Sequence, residues 1–329
     1  MNPTNSPEYP WKSPAWIDRS DRARLWVSGA DRARFLHNLT TNDVKKLGVG
    51  AGREAFVTSL QGKTLAFVIM HVTQDKILVR ADPGGLEYAL PHFQKYGALD
   101  DVTLEDVSAS TCELHLIGPW PDFMGFVLGA DYSHLSPNPD PEGSLQIRES
   151  PTGFPGLTVI GPISSRNSLV TSFHHAGISP IEGERFEALR ILAGTPLFGR
   201  EVTPANLPQE LGRDDRAISF VKGCYLGQET VARIDAVGHV NRVLKGLRFD
   251  EGNAPPAVGS PIHDQGKAVG MVTSSARSPF DGGPIALAFL KTSHAHAGMR
   301  LAVPSPGSGE PAWGVVADLP MKPENQPDR

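Results

Sequence analysis

The sequence predicts an α+β protein that ends in a separate all-β unit. Three observations carry this reading. The chain has 329 residues, more than one ordinary hydrophobic core accommodates, so two or three domains are expected. Strand-like and helix-like segments intermix irregularly as far as residue 193, the pattern of an α+β region with antiparallel sheets. From Arg242 onward only short strand-like runs remain, and none shows a helical period.

Taken in order, residues 1–12 read as a loose leader, and the flexible stretch is expected to reach residue 20. A short strand fits Leu25-Trp26-Val27. Gly29-Ala30-Asp31 then turns into a helix, with Asp31 as N-cap and Phe35, Leu36 and Leu39 on one face. Thr40 to Asp43 ends it in a polar loop. Glu54–Leu60, Lys63–Val72 and Lys76–Arg80 read as three strands, joined by turns at Gln61-Gly62 and Thr73-Gln74-Asp75. A helix over Leu86–Tyr96 is expected to be kinked or shortened by Pro91. Strands fit Val102–Val107 and Glu113–Ile117.

Residues 131–144 hold three prolines among Asp, Ser, Asn and Gly and read as a long loop. Helices fit Ser165–Ala176 and Gly183–Ala193, the second ending at Gly194, a good residue for the C′ position. The last region carries strand-like runs at Val243–Phe249, Ala268–Thr273, Ile285–Leu290, Arg300–Val303 and Trp313–Val316, separated by Gly, Pro and Asp, as in a small barrel or sandwich. The expected division is therefore 21–240, then 241–320, with 321–329 a disordered tail.

Composition narrows the function. The chain is 40% hydrophobic and 20% charged, as soluble globular proteins are. Its formal net charge is −5 and Lys45-Lys46 is the only Lys-Lys pair, so no direct nucleic-acid partner is expected. The two cysteines, Cys112 and Cys224, form no CxxC, and they cannot alone supply the four ligands of an iron–sulfur cluster or structural zinc site. The N-terminus has neither a basic n-region nor an apolar h-region, and no apolar run approaches the ~20 residues that span a bilayer. A cytoplasmic protein with no membrane partner is expected.

Function-capable side chains concentrate in Lys222-Gly223-Cys224-Tyr225-Leu226-Gly227-Gln228-Glu229, followed by Arg233. Gly223 and Gly227 permit positive φ or a close backbone approach. A short helix starting near Gly227 would place Glu229 and Arg233 one turn apart as an ion pair. Two readings of Cys224 stand on spacing alone. Lys222, two residues away, favours a reactive thiolate if its ammonium points at the sulfur. Otherwise Cys224 is a small buried apolar residue and Lys222 is solvated.

The segment Lys-Gly-Cys-Tyr-x-Gly-Gln-Glu resembles the signature of the YgfZ family of folate-binding proteins, relatives of the glycine-cleavage aminomethyltransferase. The likeness extends to Val27-Ser28-Gly29, Leu39 to Asp43, Gln61-Gly62-Lys63, Leu189 to Pro196, Leu207 to Glu210 and Gly270 to Ser274, so it covers roughly residues 20–320. It implies a GcvT-like three-part ring around a central tetrahydrofolate site, with a ferredoxin-like portion and a C-terminal β-barrel. It also implies a role in maintaining iron–sulfur client proteins, together with their assembly factors, and an effect on tRNA modification through such an enzyme. Cys224 and Lys222 are the expected chemical residues. Tyr225, Gln228, Glu229 and Arg233 are the expected folate contacts; residue type does not decide which of them touches the ligand and which supports the loop.

Two departures separate the chain from the transferase branch. There an acidic pair follows the first hairpin turn, where this chain has Ala66-Phe67, and no acid stands between Glu54 and Asp75. Relatives also carry a pterin-holding Glu where this chain has Leu192. Neither Ala66, Phe67 nor Leu192 can accept a proton or stabilise an iminium ion. Three functions remain in view: a folate-dependent accessory factor, a one-carbon transferase acting on methylamine-type substrates, and a scaffold that has lost folate.

Other candidates read as ordinary structure. His294-Ala295-His296 lacks a third ligand, and His174-His175 diverge on a helix. Gly48 to Gly52 lacks the Lys-Ser/Thr of a phosphate loop. Cys112 lies in an apolar alternation, as a core thiol does.

Overall fold

The structure, a computed structural model, describes residues 13–118, 131–135, 144–238, 240–305 and 310–321. In chain order, β1 (Ala15–Asp18) and β2 (Ala23–Ser28) lead to α1 (Arg32–Leu39). Then come β3 (Gly52–Thr58), β4 (Thr64–Val72), β5 (Lys76–Ala81), α2 (Leu86–Tyr96), β6 (Thr103–Asp106) and β7 (Thr111–Ile117). β8 (His134–Leu135), β9 (Leu145–Glu149) and β10 (Gly156–Pro162) precede α3 (Arg166–His175), β11 (Ser179–Pro180) and α4 (Gly183–Ala193). α5 (Asp214–Ala217) and α6 (Gln228–Val237) lead to β12 (Arg242–Arg248), β13 (Pro261–Asp264), β14 (Lys267–Arg277), β15 (Pro284–Lys291), β16 (Arg300–Val303) and β17 (Ala312–Ala317).

Three β-assemblies result. The first sheet has the order β3-β4-β5-β2-β6, the second β11-β1-β7-β10-β9-β8, and the last six strands close into a barrel, β12-β15-β14-β13-β16-β17. Period-2 alternation sorts the faces of the first sheet. Leu25, Val27, Ala66, Val68, Met70 and Val79 point to one side and pack with Phe35, Leu36 and Phe93 of α1 and α2. Phe56 and Phe67 point to the other, into a cluster with α4 and the outside of the barrel. On the second sheet, Leu114, Leu116, Leu157 and Val159 pack beneath Phe173 of α3. The two sheets face each other across Leu78, Leu145, Ile147 and Ile160.

A buried ionic seam lies in the same interface. Arg80, Arg24 and Glu113 are each 0% exposed. Arg80 donates to Glu113 Oε1 at 2.5 Å and to both oxygens of Glu149, at 2.9 and 3.0 Å. Arg22 reaches Glu113 at 3.2 Å and Asp82 at 3.4 Å. Burial alone would raise the Glu113 carboxyl, but Arg80 and Arg22 outweigh it and hold the group at about 2. Burial pushes the His115 imidazole down to about 4, so it is neutral at physiological pH.

The architecture is the expected α+β with a closed terminal barrel. Several local expectations are corrected. Residues 15–18 are not flexible leader but strand β1, paired with β7 and β11. Met321 is not tail: it is 4% exposed, and its N–H donates to the Leu192 carbonyl at 2.7 Å. α2 runs through Pro91 to Tyr96 without shortening. β13 was missed because Pro261-Ile262-His263-Asp264 is too short to show alternation. β9 and β10 were also missed. The expectations for residues 1–12, for 136–143 of the long loop and for 322–329 lie outside the described residues.

Candidate functional site

The motif segment is anchored by glycine. Gly227 adopts φ +84° as the N-cap of α6, a conformation with little cost only for glycine. A β-carbon built on it would lie 2.4 Å from the Ser59 carbonyl oxygen and 3.0 Å from Gly62 Cα. Gly62, at φ +74°, sits on the β3–β4 turn, and its β-carbon would lie 2.7 Å from Thr230 Cβ. The first hairpin and α6 therefore meet through bare backbone. Thr58 strengthens the joint by donating to the Leu226 carbonyl at 2.6 Å, and Leu226 N–H donates to Asn38 O at 2.8 Å.

Both readings of Lys222 and Cys224 are corrected. Lys222 is buried at 6% exposure and Cys224 is exposed. The ammonium does not donate to the sulfur. It donates to the carbonyls of His37 (2.5 Å), Thr40 (2.6 Å) and Asn42 (2.9 Å), capping the C-terminus of α1. It also lies 4.7 Å from the centroid of the Tyr225 ring. Burial lowers the ammonium to about 7, against the opposing pull of Asp43. Lys222 is thus a clamp between the motif and α1. Cys224 faces solvent at the rim of a cleft of about 450 Å³ that also includes Asn38, Tyr96, Tyr225 and Leu226.

The expected folate contacts differ in exposure. Tyr225 is buried at 8% exposure, and burial pushes its phenol above the usual range. Its N–H lies 3.4 Å from the Gln228 side-chain oxygen, so Gln228 closes the turn. Glu229 and Arg233 are exposed on α6 and form no ion pair with each other. Cys112 is the core thiol expected, 0% exposed. His294 lies 3.4 Å from Asp264, and no group of three metal-ligating side chains occurs among the described residues.

A larger cleft, of about 870 Å³, opens where β3 meets β8, β9 and α5. Leu47, Leu135 and Leu157 supply apolar wall, and the charge is mixed: Arg53, Arg148 and Arg216 stand with Glu54, Asp131 and Asp215, with Arg216 3.4 Å and Arg148 3.9 Å from Asp131. Glu54, 1% exposed, lies at its base. Arg213 grips Glu54 through Nε at 2.7 Å and through a second guanidinium nitrogen, while the Tyr132 hydroxyl donates to the same carboxylate. Burial would raise Glu54, but the Arg213 guanidinium outweighs it and holds the carboxylate ionised. Arg213 also lies 5.5 Å from the centroid of the Phe67 ring. Tyr132 takes φ +65°, a strained value for a residue with a side chain.

Sequence reading missed Glu54, Tyr132 and Arg213, which are 78 and 159 positions apart across their hydrogen bonds. It also missed Asp214, whose carboxyl is pushed up to about 6 by burial, with Asp215 and Asp235 nearby. No local spacing announces either set. A charged residue inside an apolar strand, as Glu54 is, was the single available signal.

Two of the three departures noted in the sequence fall together. Phe67 and Leu192 belong to one apolar cluster with Phe56, Ile191 and Tyr225. Ala66 faces the opposite side of the sheet, toward α1 and α2.

The comparisons with known proteins agree with this architecture. Residues 12–122 match the GCVT N-terminal domain and residues 242–321 match the glycine cleavage T-protein C-terminal barrel domain. A chloroplastic Arabidopsis thaliana protein provisionally named a transferase is 29% identical over 325 residues, covering 94% of this chain and 72% of its own. An aminomethyltransferase of Streptomyces avermitilis is 29% identical over 318 residues, covering 92% of this chain and 84% of its own. The crystal structure of glycine cleavage system aminomethyltransferase T from Bartonella henselae superposes with a TM-score of 0.84 at 19% identity, covering 94% of this chain and 86% of that one, a likeness of fold. No helix among the described residues is long and apolar enough to cross a membrane. With an N-terminal domain and a terminal barrel both matched, the chain belongs to the GcvT-like family.

Proposed function

We propose that this chain is a tetrahydrofolate-binding accessory factor for iron–sulfur proteins, of the YgfZ branch, and not an aminomethyltransferase. One observation carries the reading: Phe67 and Leu192, which stand where the transferase branch is expected to carry acids, lie in one apolar cluster. A carboxylate at either position would have to enter this apolar cluster, and at position 67 the neighbouring cation, Arg213, 5.5 Å from the Phe67 ring centroid, is already paired with Glu54. The resemblance around Cys224 supplies the client class, and the exposed thiol fits contact with another protein.

The residues of the larger cleft fit a folate. Its volume of about 870 Å³ suits a ligand of that size. Arg53, Arg148 and Arg216 would pair with the glutamate carboxylates, and Leu47, Leu135 and Leu157 would pack against the rings. When bound, tetrahydrofolate would supply one-carbon chemistry through a pterin-ring nitrogen and the neighbouring linker nitrogen. The chain's own part is to bind and orient. Arg213 and Tyr132 occupy both oxygens of Glu54, so this carboxylate offers fixed negative charge and is a poor proton acceptor.

The second reading, a one-carbon transferase, is favoured by Glu54 itself. An ionised carboxylate at the base of the cleft would stabilise an iminium cation electrostatically even though it does not take a proton. Turnover assays with N-methyl amino acids and tetrahydrofolate separate the two, and turnover lost in Glu54→Gln would favour the transferase.

Calorimetric titration with tetrahydrofolate tests the main reading. Measurable affinity, weakened about tenfold in Arg216→Ala, is expected. No binding to the wild type would overturn the folate assignment. For the accessory role, Cys224→Ala is expected to fail to restore iron–sulfur enzyme activity in a deletion strain, and full rescue would remove Cys224 from the function.

A further inference from the structure

The seam between the two sheets has a further opening, which shares no lining residue with the larger cleft. It is a groove of about 490 Å³. Its floor is the apolar set Leu78, Leu145 and Ile160, against which the Trp26 side chain packs. The β4–β5 turn forms one rim and the β6–β7 loop, with Ser110, the other.

Two cations reach this groove. Lys76 Nζ lies 5.7 Å from the centroid of the Trp26 ring. Its acidic contact is Glu105 at 3.7 Å, and both partners are about half exposed (45% and 59%). Such a surface pair is worth little and exchanges readily for a ligand anion. Arg24 lies at the inner wall, fully buried. Its Nε donates to Thr111 Oγ1 at 2.7 Å and one terminal nitrogen serves three carbonyls. The other terminal nitrogen, Nη1, is buried with no hydrogen-bond partner, and Glu113 stands 3.6 Å from it. Arg24 is 0% exposed and this nitrogen faces Glu113, so it lends the inner wall buried positive charge and leaves Lys76 as the cation a ligand can touch. Asp75 is the acid on the rim.

We infer that this groove is a small-molecule site for a planar aromatic or heteroaromatic anion. The ring would lie along Trp26 and the apolar floor, and the anionic group would meet Lys76. The volume, the aromatic wall and the few convergent polar groups match the anatomy of ligand sites. This site is separate from the cleft assigned to folate and does not depend on that assignment.

Calorimetric titration of the full chain with naphthalene-2-sulfonate, against neutral 2-naphthamide, tests it. The wild type is expected to bind the sulfonate roughly fivefold tighter than the amide, the size of one exposed charge contact. Lys76→Met is expected to remove that preference and leave amide affinity unchanged. Trp26→Ala is expected to weaken both probes about tenfold, as loss of an aromatic anchor does. Because Trp26 also packs against the seam, Ser110→Trp supplies a second variant, filling the groove from its exposed rim. It is expected to abolish both affinities while the thermal midpoint stays unchanged. No binding of either probe at millimolar concentration, equal affinity for the two, or binding indifferent to Ser110→Trp would each overturn the proposal. Displacement of the sulfonate by tetrahydrofolate would make this groove part of the folate site and overturn its independence.

Discussion

Gly62 and Gly227 meet backbone to backbone: a β-carbon on Gly227 would stand 3.0 Å from the Cα of Gly62 and 3.1 Å from its nitrogen. The contact ties the first hairpin to the helix that follows the Cys224 loop. Both residues hold positive φ, so space and conformation both require glycine.

Gly227→Ala is therefore expected to destabilise the fold by about 2–4 kcal/mol, through a clash with the Ser59 carbonyl added to backbone strain. A β-carbon on Gly62 would meet Thr230 Cβ at 2.7 Å and the Gly227 carbonyl oxygen at 3.1 Å, so a comparable loss is expected for Gly62→Ala. Chemical denaturation measures both, and a loss under about 0.5 kcal/mol in either would show that the joint yields.

Removing Glu113 leaves the Arg80 and Arg22 guanidinium groups short of a buried counter-charge. Glu113→Gln is expected to cost about 3–5 kcal/mol. The wild-type carboxyl titrates at about 2, below its unfolded value of roughly 4.3. The folded state thus disfavours protonation, and this contribution is complete above about pH 5 and lost as pH falls toward 2. Acid-unfolding curves of the variant should be flatter over that window than those of the wild type.

Asp214 behaves in the opposite sense. Its folded value, about 6, lies above the unfolded value of roughly 3.9, so the folded state favours the protonated form. Stability from this group falls as pH rises from about 4 to 6 and stays low above. Asp214→Asn is expected to stabilise the protein by about 1 kcal/mol at pH 7.5, discounted for partial exposure, and to change little at pH 4. Thermal melts at the two pH values check this, and equal effects at both would contradict it.

The Lys222 clamp should be visible by NMR titration of its side chain, with a midpoint near 7. The ammonium's unfolded value is roughly 10.4. Its cost is fully present below pH 7 and is relieved as pH rises to about 10. Lys222→Met leaves three carbonyls at the end of α1 without a donor. A loss of about 2–3 kcal/mol is expected, together with faster amide exchange over residues 40–43. A midpoint above 10 together with unchanged amide exchange in Lys222→Met would show that the amine is solvated and the clamp open.

The barrel was legible in the sequence because turn residues and short apolar runs are local signals, although β13 was too short to register. The Lys222 to Glu229 segment was legible as a unit because its two glycines carry a local conformational requirement. Helices α3 and α4 likewise announce themselves by period and by Gly194, which takes φ +69° as the C-cap. The direction of the side chains in the motif was not legible. Lys222 and Cys224 stand on irregular backbone, where no period fixes which one faces inward, and each points opposite to the simplest expectation.

The sequence by itself determined the fold class, the family resemblance and the absence of acids at Ala66, Phe67 and Leu192. The tertiary structure decided where those three residues stand. β4 alternation sends Ala66 to one face of the sheet and Phe67 to the other, and chain reversal through α4 brings Leu192 into the same apolar cluster. It also decided that Arg213 reaches Glu54 across 159 positions, and that Lys222 reaches the end of α1 across more than 180. Such pairings depend on how whole sheets and helices stack, a long-range outcome of burying apolar faces that no short window of sequence encodes.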